Sequence, residues 1–424
     1  MRRRLVVAGA ALLLVALGAG VAYVLYVRQQ GQDIRGSSTK EFTPTEVPPA
    51  AVKPKEPGVA WPEYGYDAER LRVATGISLA PPFRRVWTFH ARRLIEFPPA
   101  VGYGRLFFAN NDGVLFSISA STGKRVWGYD SHRCQAMSPA VNEHTIYATF
   151  LNPPPCNSSG AGQQGELVAL AAGSGAVRWR RLIGPSESSP VVTGGSVFVG
   201  DWDGRVYSFS ARTGQQRWMF QAGGKVKGGI AVSGGRVYFG AYDSHVYALN
   251  ATTGKLLWQA SAQPQLGHSG EFYATPAVAY GRVFIGSTDG KEYAFGAATG
   301  DLLWSSSTDG YVYSSSAVWR RRVFAGSYSS TFFCFDAATG GVLWSFRANG
   351  PISGSPTIVA GRVYFATLDR QTYALDASSG RLLWTFPDGK YTPVVADSKH
   401  LYLVGFTKVY GLEETTRRPA ALRR

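Results

Sequence analysis

Eight tryptophans, Trp87, Trp127, Trp179, Trp218, Trp258, Trp304, Trp344 and Trp384, divide the chain beyond its first fifth into similar portions. Their spacings are 40, 52, 39, 40, 46, 40 and 40 residues. Each of the last seven closes a version of one phrase. Ala374-Leu-Asp376-Ala-Ser-Ser-Gly380-Arg-Leu-Leu-Trp384 is one copy, and Ala248-Leu-Asn250-Ala-Thr-Thr-Gly254-Lys-Leu-Leu-Trp258 is another. Cys334-Phe-Asp336-Ala-Ala-Thr-Gly340-Gly-Val-Leu-Trp344 is a third. Self-similarity at this period means stacked or radial supersecondary units, because one unit of that size cannot bury its own apolar face.

Each unit reads as four strands. In the seventh, Ser355-Pro356-Thr-Ile-Val, Arg362-Val-Tyr-Phe-Ala, Thr372-Tyr-Ala-Leu-Asp376 and the strand holding Trp384 are separated by Ala360-Gly361, Asp369-Arg370 and Ser379-Gly380. Alternation within the runs and glycine-containing turns between them are strand and hairpin signals. With 50 glycines, 13% aromatic and only 17% charged residues, the composition suits many short strands and opposes long helices or disorder. Four-stranded units repeated at forty residues predict an all-β propeller. Inner strands are expected near Pro98, Ser138, Ser189, Gly229, Thr275, Ser316, Ser355 and Thr392, which makes eight antiparallel blades. The last unit lacks a tryptophan strand and the first tryptophan strand lacks a preceding three. The N-terminal strand around Trp87 should therefore complete the last blade and close the ring, which removes exposed sheet edges.

The N-terminus has another character. Met1-Arg2-Arg3-Arg4 precedes an uncharged run from Leu5 to Val27, then Arg28. Such a run forms a helix of roughly 34 Å, enough to span a hydrocarbon core of about 30 Å. Residues 1–27 are thus expected to be a signal anchor, with three arginines holding the N-terminus in the cytoplasm and the propeller extracytoplasmic. Residues 28–60 offer little to bury and read as a flexible Pro/Ser-rich tether. Residues 61–83 form a lead-in, 84–414 the propeller and 415–424 a basic tail. The formal charge of +16, from 44 basic and 28 acidic residues, permits contact with anionic surfaces without specifying one. Lys225-Val-Lys227 and Arg320-Arg-Arg322 are basic and aromatics abound, but the aromatics follow the strand period and Arg320 to Arg322 fall at a hairpin turn, so no nucleic-acid partner is expected.

The phrase Ala-x-Asp-x-x-Thr-Gly-x-x-x-Trp, together with Trp61-Pro-Glu-Tyr-Gly-Tyr-Asp67-Ala-Glu-Arg70, resembles the docking motif and lead-in of the pyrroloquinoline quinone (PQQ)-type propeller family. That family includes quinoprotein alcohol dehydrogenases and BamB-like envelope proteins. The resemblance covers about residues 61–414 and implies the fold; the motif is structural and occurs with and without the quinone. In the enzymes, a calcium held by a Glu and an Asn, a catalytic Asp and often an adjacent Cys-Cys pair surround the quinone. This chain has no adjacent cysteines, no haem-attachment motif and no metal-ligand spacing of histidines. Asp201-Trp-Asp203-Gly204 looks like part of a calcium loop but lacks its terminal Glu, and is explained as a hairpin turn.

Strand order gathers the outer-to-inner connections and second-to-third turns on one face, where propeller ligands usually bind. That face should carry Arg92, Arg93, His132, Arg133, Glu187, Lys225, Lys227, His268, Glu271, Tyr273, Tyr311, Tyr313, Lys390 and Tyr391. Glu187 and Glu271 have no evident Asn companion. Cys134 and Cys156 stand at the same end of an antiparallel pair, which predicts a disulfide and an oxidising compartment. Cys334, inside the docking phrase, is expected to be a buried thiol. The reading that follows is a non-catalytic, monomeric, membrane-tethered scaffold binding a protein or envelope ligand, with no cofactor. The alternative is a small oxidoreductase using PQQ and calcium.

Overall fold

The computed structural model describes residues 2–43, 56–74, 76–156, 164–265, 270–391 and 394–415. His268, the start of the strand expected near Thr392, residues 44–55 and tail residues 416–424 lie outside these. The remainder is an eight-bladed propeller preceded by one helix, α1 (Arg2–Gln30).

The inner strands of blades 1 to 8 are Ala100–Gly102, Ala140–Asn142, Val191–Thr193, Ala231–Ser233, Ala277–Ala279, Ala317–Trp319, Thr357–Val359 and Val395–Ala396. Blades 1 to 7 each continue outward through three more antiparallel strands in sequence order. Blade 8 takes its outermost strand from the other end of the chain: Phe83–His90 pairs antiparallel with Lys408–Glu414, and the ring is closed.

The repeated phrase packs each blade onto its neighbour. The Trp218 indole of blade 3 donates Nε1–H to Ala251 O of blade 4 at 3.0 Å and lies flat on Gly254, whose added Cβ would sit 2.6 Å from the ring. Gly254 also has φ +70°, so both the turn and the indole require glycine there. Asn250 Oδ1 accepts the Thr252 and Thr253 amides, and Asp376 does the same for Ser378 and Ser379. Core clusters accordingly span adjacent sheets, as where Leu167 and Trp179 of blade 2 meet Val197 and Phe209 of blade 3. The Asp201–Gly204 segment is a turn in which Asp201 Oδ1 accepts the Asp203 and Arg205 amides and Oδ2 accepts the Tyr207 hydroxyl. Cys134 and Cys156 form a disulfide, and Cys334 is buried and free.

Two segments before the repeats lie on the ring in ways that the sequence pattern does not announce. The lead-in fills the axis. Val59–Trp61 adds antiparallel to the inner strand of blade 1, and Val73–Ala74 adds parallel to that of blade 7. Between them, carbonyls of Pro62, Ala68, Glu69, Leu71 and Arg72 accept the amides of Val141, Val232, Val278, Val318 and Ile358 at 2.7–3.1 Å. The Glu63 carboxylate accepts the amide of Val192. One segment thus satisfies inner-strand donors on blades 2 to 7.

Within the described residues, 28–43 and 56–60 are not the flexible tether expected over 28–60: α1 runs on to Gln30. Residues 31–43 lie in the cleft between blades 5 and 6, and 56–60 already belong to the axial plug. Ile34 bridges Ser305 of the outer strand of blade 5, Gly36 N–H reaches Thr339 O of blade 6, and Phe42 stacks on Tyr280 at 5.4 Å. The fully buried Arg282 gives its donors to carbonyls of Ser37, Lys40, Glu41, Ala337 and Ala338. The segment is held through its backbone, so its lack of an apolar pattern is no bar to docking.

Candidate functional site

The mouth of the axial channel on the loop face is a funnel built from the residues that precede each inner strand. Those residues form a belt. The Ser138 amide donates to Ser189 Oγ of the next blade at 3.0 Å, Gly229 to Thr275 Oγ1 at 2.7 Å, Thr275 to Ser315 Oγ at 2.9 Å and Ser315 to Ser355 Oγ at 2.9 Å. The small hydroxyl residues that recur before the inner strands are therefore occupied in joining blades. The tip of the axial plug forms the funnel floor: Tyr64 Oη bonds Ser355 Oγ at 2.7 Å, with the Arg72 guanidinium 4.4 Å from its ring centre. Burial raises the Tyr64 phenol, but Arg72 and the two seryl hydroxyls outweigh it and leave the pKa below its ordinary value.

Above the floor stand Glu96, Phe97, Glu187, Lys227, Tyr273, Tyr313 and Tyr391 around a cavity of about 40 Å³. Glu187 Oε2 lies 3.8 Å from Lys227 Nζ, which itself sits 4.4 Å over the Trp202 ring and 5.4 Å over Tyr242. Burial pushes the Glu187 carboxyl up to about 7; Lys227 opposes the shift and the neighbouring Glu96 charge adds to it. Burial also raises Glu96, against its bond to Asn111 Nδ2 at 3.4 Å and the charges of Lys227 and Lys390. The Tyr273 phenol is held far above its usual value, first by burial and then by Glu187 and Glu96. The funnel is consequently a crowded, partly desolvated aromatic and acidic pocket, with one lysine inside and others at its edge.

Of the residues proposed from sequence, Glu187, Lys227, Tyr273, Tyr313 and Tyr391 meet at this cavity. Lys225 lies beside Trp202, and Lys390 over Tyr391 and Phe406. Tyr311 lies on an aromatic rim with Tyr313 and Tyr328. Glu271 is tied through its backbone to Thr288 and Ser287 and does not line the cavity. Arg92 and His132 are exposed. Arg93 pairs with Asp112, and Arg133 is drawn to Glu166 and Gln164 on blade 2. Sequence reasoning missed Tyr64, Glu96 and Asn111. Glu96 stands four residues before the inner strand of blade 1, the position that Glu187, Lys227, Tyr273, Tyr313 and Tyr391 hold before theirs, so the register of the repeat was the signal that could have found it. Tyr64 reaches the funnel only because the lead-in rises through the axis.

The funnel residues fit a quinone poorly. A cofactor pocket takes about 300–1,000 Å³, and Tyr64 closes this one far below that. Among the described residues no three His, Cys, Asp or Glu side chains gather as a metal site. Glu96 and Asn111 do bring a carboxylate and an amide together, and Asn111 Oδ1 is buried without a hydrogen-bond partner.

Comparison with known proteins agrees with this architecture. A BamB from Burkholderia pseudomallei is 29% identical over 165 residues, 35% of this chain and 38% of that protein, so the match spans well under half of the relative. The crystal structure of BamB from Moraxella catarrhalis superposes with a TM-score of 0.63 at 17% identity, covering 78% of this chain and 100% of that one. A europium-containing methanol dehydrogenase superposes with a TM-score of 0.70 at 13% identity, over 85% of this chain and 98% of the other. Both structural likenesses speak to the fold alone. The profile described as outer membrane protein assembly factor BamB matches residues 84–183, 163–311 and 293–415, which together take in most of the sequence, and the chain belongs to that PQQ-type, BamB-like propeller family.

Proposed function

We propose that this protein is a membrane-anchored, extracytoplasmic ring that binds a protein or envelope ligand on its loop face without chemistry. The observation that carries this reading is the floor of the funnel. Tyr64 leaves about 40 Å³ where a redox cofactor would need to lie, while the rim offers tyrosines, Trp202 and lysines of the sort that anchor protein partners. α1 supports the anchor, since Leu12–Gln30 is long and apolar enough to cross a bilayer. Three arginines before the apolar run favour a cytoplasmic N-terminus. The disulfide agrees with an oxidising exterior. A BamB relative is named for outer-membrane assembly, and a comparable role in an envelope complex is the nearest analogy.

The second reading, a PQQ- and calcium-dependent oxidoreductase, draws on Glu96 and Asn111. Titration of purified protein with PQQ and calcium separates the two. No saturable binding is expected, and saturable binding with alcohol-dependent dye reduction would overturn the scaffold reading. In native membranes, a photocrosslinking amino acid at Tyr313 should give a discrete adduct and one at Thr252, on the opposite face, none. Equal labelling from both positions would remove the loop face as the binding surface.

A further inference from the structure

The helix and the ring are joined without slack. α1 ends at Gln30, and the next residue is already fixed: Gly31 O accepts Lys291 Nζ at 2.6 Å, and Lys291 is only 3% exposed. Gln263 Nε2 bonds the carbonyls on either side, Gln30 at 2.9 Å and Gln32 at 2.8 Å. The Asp33 carboxylate then meets Lys291 Nζ at 3.2 Å and Ser307 Oγ at 2.7 Å. These contacts lie at the loop-face end of blade 5. The buried Arg282 holds the other end of the segment near the opposite face.

The fit is particular to this cleft. The leucine before the docking tryptophan is 46% exposed at Leu257 and 50% exposed at Leu343, but 6% exposed at Leu303, where the segment covers blade 5. Gly36 approaches so closely that an added Cβ would lie 2.5 Å from Ala338 O and 2.9 Å from the Trp304 ring. Backbone bonds, two buried cations and a residue-specific close approach describe a seated strap.

The seat also says which part of the ring comes nearest the helix. A cleft of about 570 Å³ lies between the end of α1 and the loop-face rim of blades 5 and 6, with Val27 and Arg28 on one side and Gln265, Asp309 and Tyr311 on the other. Tyr311 is 43% exposed. An exposed tyrosine next to an arginine at the end of an apolar span is the side-chain chemistry of a headgroup layer. We propose that residues 31–43 are a rigid strap that holds the ring at a fixed attitude, with the Asp309–Tyr311 rim seated against phospholipid headgroups and blade 1 turned away. The loop-face funnel then opens beside the membrane surface, within reach of a ligand that is itself membrane-bound. This rests on reading α1 as a membrane span.

The test uses the full chain in phosphatidylcholine vesicles that contain a headgroup-nitroxide lipid. Bimane attached through Asp309→Cys should be quenched at least twofold more than bimane attached through Asp112→Cys on the diametrically placed blade 1. Equal quenching at the two positions overturns the fixed attitude. Separately, the Asp33→Cys/Ser307→Cys pair should oxidise to an intrachain disulfide, read by peptide mass spectrometry. A folded double variant, checked by its unchanged melting temperature, that stays reduced under oxidant overturns the strap. The strap should also depend on its cations: in a folded Arg282→Met/Lys291→Met variant the two bimane positions should converge, and retention of the full asymmetry would overturn the assigned anchoring. Release of the unmodified protein by an alkaline wash would sink the membrane reading and the bilayer seat with it. The oxidation of the double variant still reports the docking by itself, so the two failures are distinguishable.

Discussion

Glu292 is fully buried at the interface of blades 5 and 6, on the third strand of blade 5 (Lys291–Gly296). Its Oε1 accepts the Ser316 hydroxyl, and its Oε2 has no hydrogen-bond partner. Burial raises the carboxyl to about 8, against only the opposing Ser316 bond. An unfolded glutamate ionises near 4.3, so the folded ring prefers the protonated acid. The stability this contributes is complete below about pH 4.3, is lost progressively as pH rises toward 8, and does not change further above that. Gln at this position keeps an acceptor for Ser316 and cannot ionise. Glu292→Gln should therefore raise the melting temperature at pH 9 by roughly 5 °C and leave it nearly unchanged at pH 5. Thermal melts at the two pH values check this, and an equal difference at both would show that ionisation is not the cause. Glu187, lifted to about 7 in the funnel, differs in having Lys227 opposite it.

At the scale of the blade, the docking tryptophan does two separable things: it buries a large plate and it donates one hydrogen bond. Trp87, Trp127, Trp179, Trp218, Trp258 and Trp304 donate to a carbonyl of the next blade at 2.9–3.2 Å. Trp344 Nε1 is buried without a partner. Phenylalanine retains much of the plate and drops the donor. Trp218→Phe should cost about 1 kcal/mol more than Trp344→Phe, because only the former leaves a carbonyl newly unpaired. Denaturant midpoints of the two variants decide it, and equal losses would reduce the motif to packing alone. The sequence makes the plate and its turn readable, since the indole and the glycine recur together in every copy and Asn250, Asp336 and Asp376 add a cap in three of them. It does not announce that Trp344 lacks the bond Trp218 makes, because that difference arises from the placement of the indole against the next blade. The funnel divides similarly. Strand order is enough to bring Glu187, Lys227, Tyr273, Tyr313 and Tyr391 to one mouth, and Glu96 joins them from the same register, four residues before the inner strand of blade 1, whereas Tyr64 comes from a segment without a repeat to index it. The strap over 31–43 leaves no apolar signature, since carbonyls accept hydrogen bonds whatever side chain they carry.

At the scale of the whole ring, closure has two parts that act on different circumferences. The rim is closed by Phe83–His90 on Lys408–Glu414, and the axis is closed by residues 56–74. The buried Arg70 sits at the turn of the axial plug, with its guanidinium on carbonyls of Ser189 and Pro190 from blade 3, Ile230 from blade 4 and Tyr64 from the plug itself. Its Nη1 is 3.9 Å from Glu63 Oε2, so removing the cation strands a buried carboxylate as well as the carbonyls. Loss of one partner from such a set costs about 3–5 kcal/mol. Arg70→Met should thus destabilise the protein by that amount, but the informative readout is where the loss spreads. Arg70 touches only two blades, while the plug backbone bonds the amides of Val141, Val232, Val278, Val318 and Ile358 on five. If the plug seats as one unit, hydrogen exchange at all five amides should accelerate together in Arg70→Met. Acceleration limited to Val232 on blade 4 and to the neighbouring amides of blade 3 would show instead that the segment is pinned blade by blade. Concerted release would make the lead-in the element that couples the eight sheets at their narrowest point, where each inner strand has an edge that no other blade can pair.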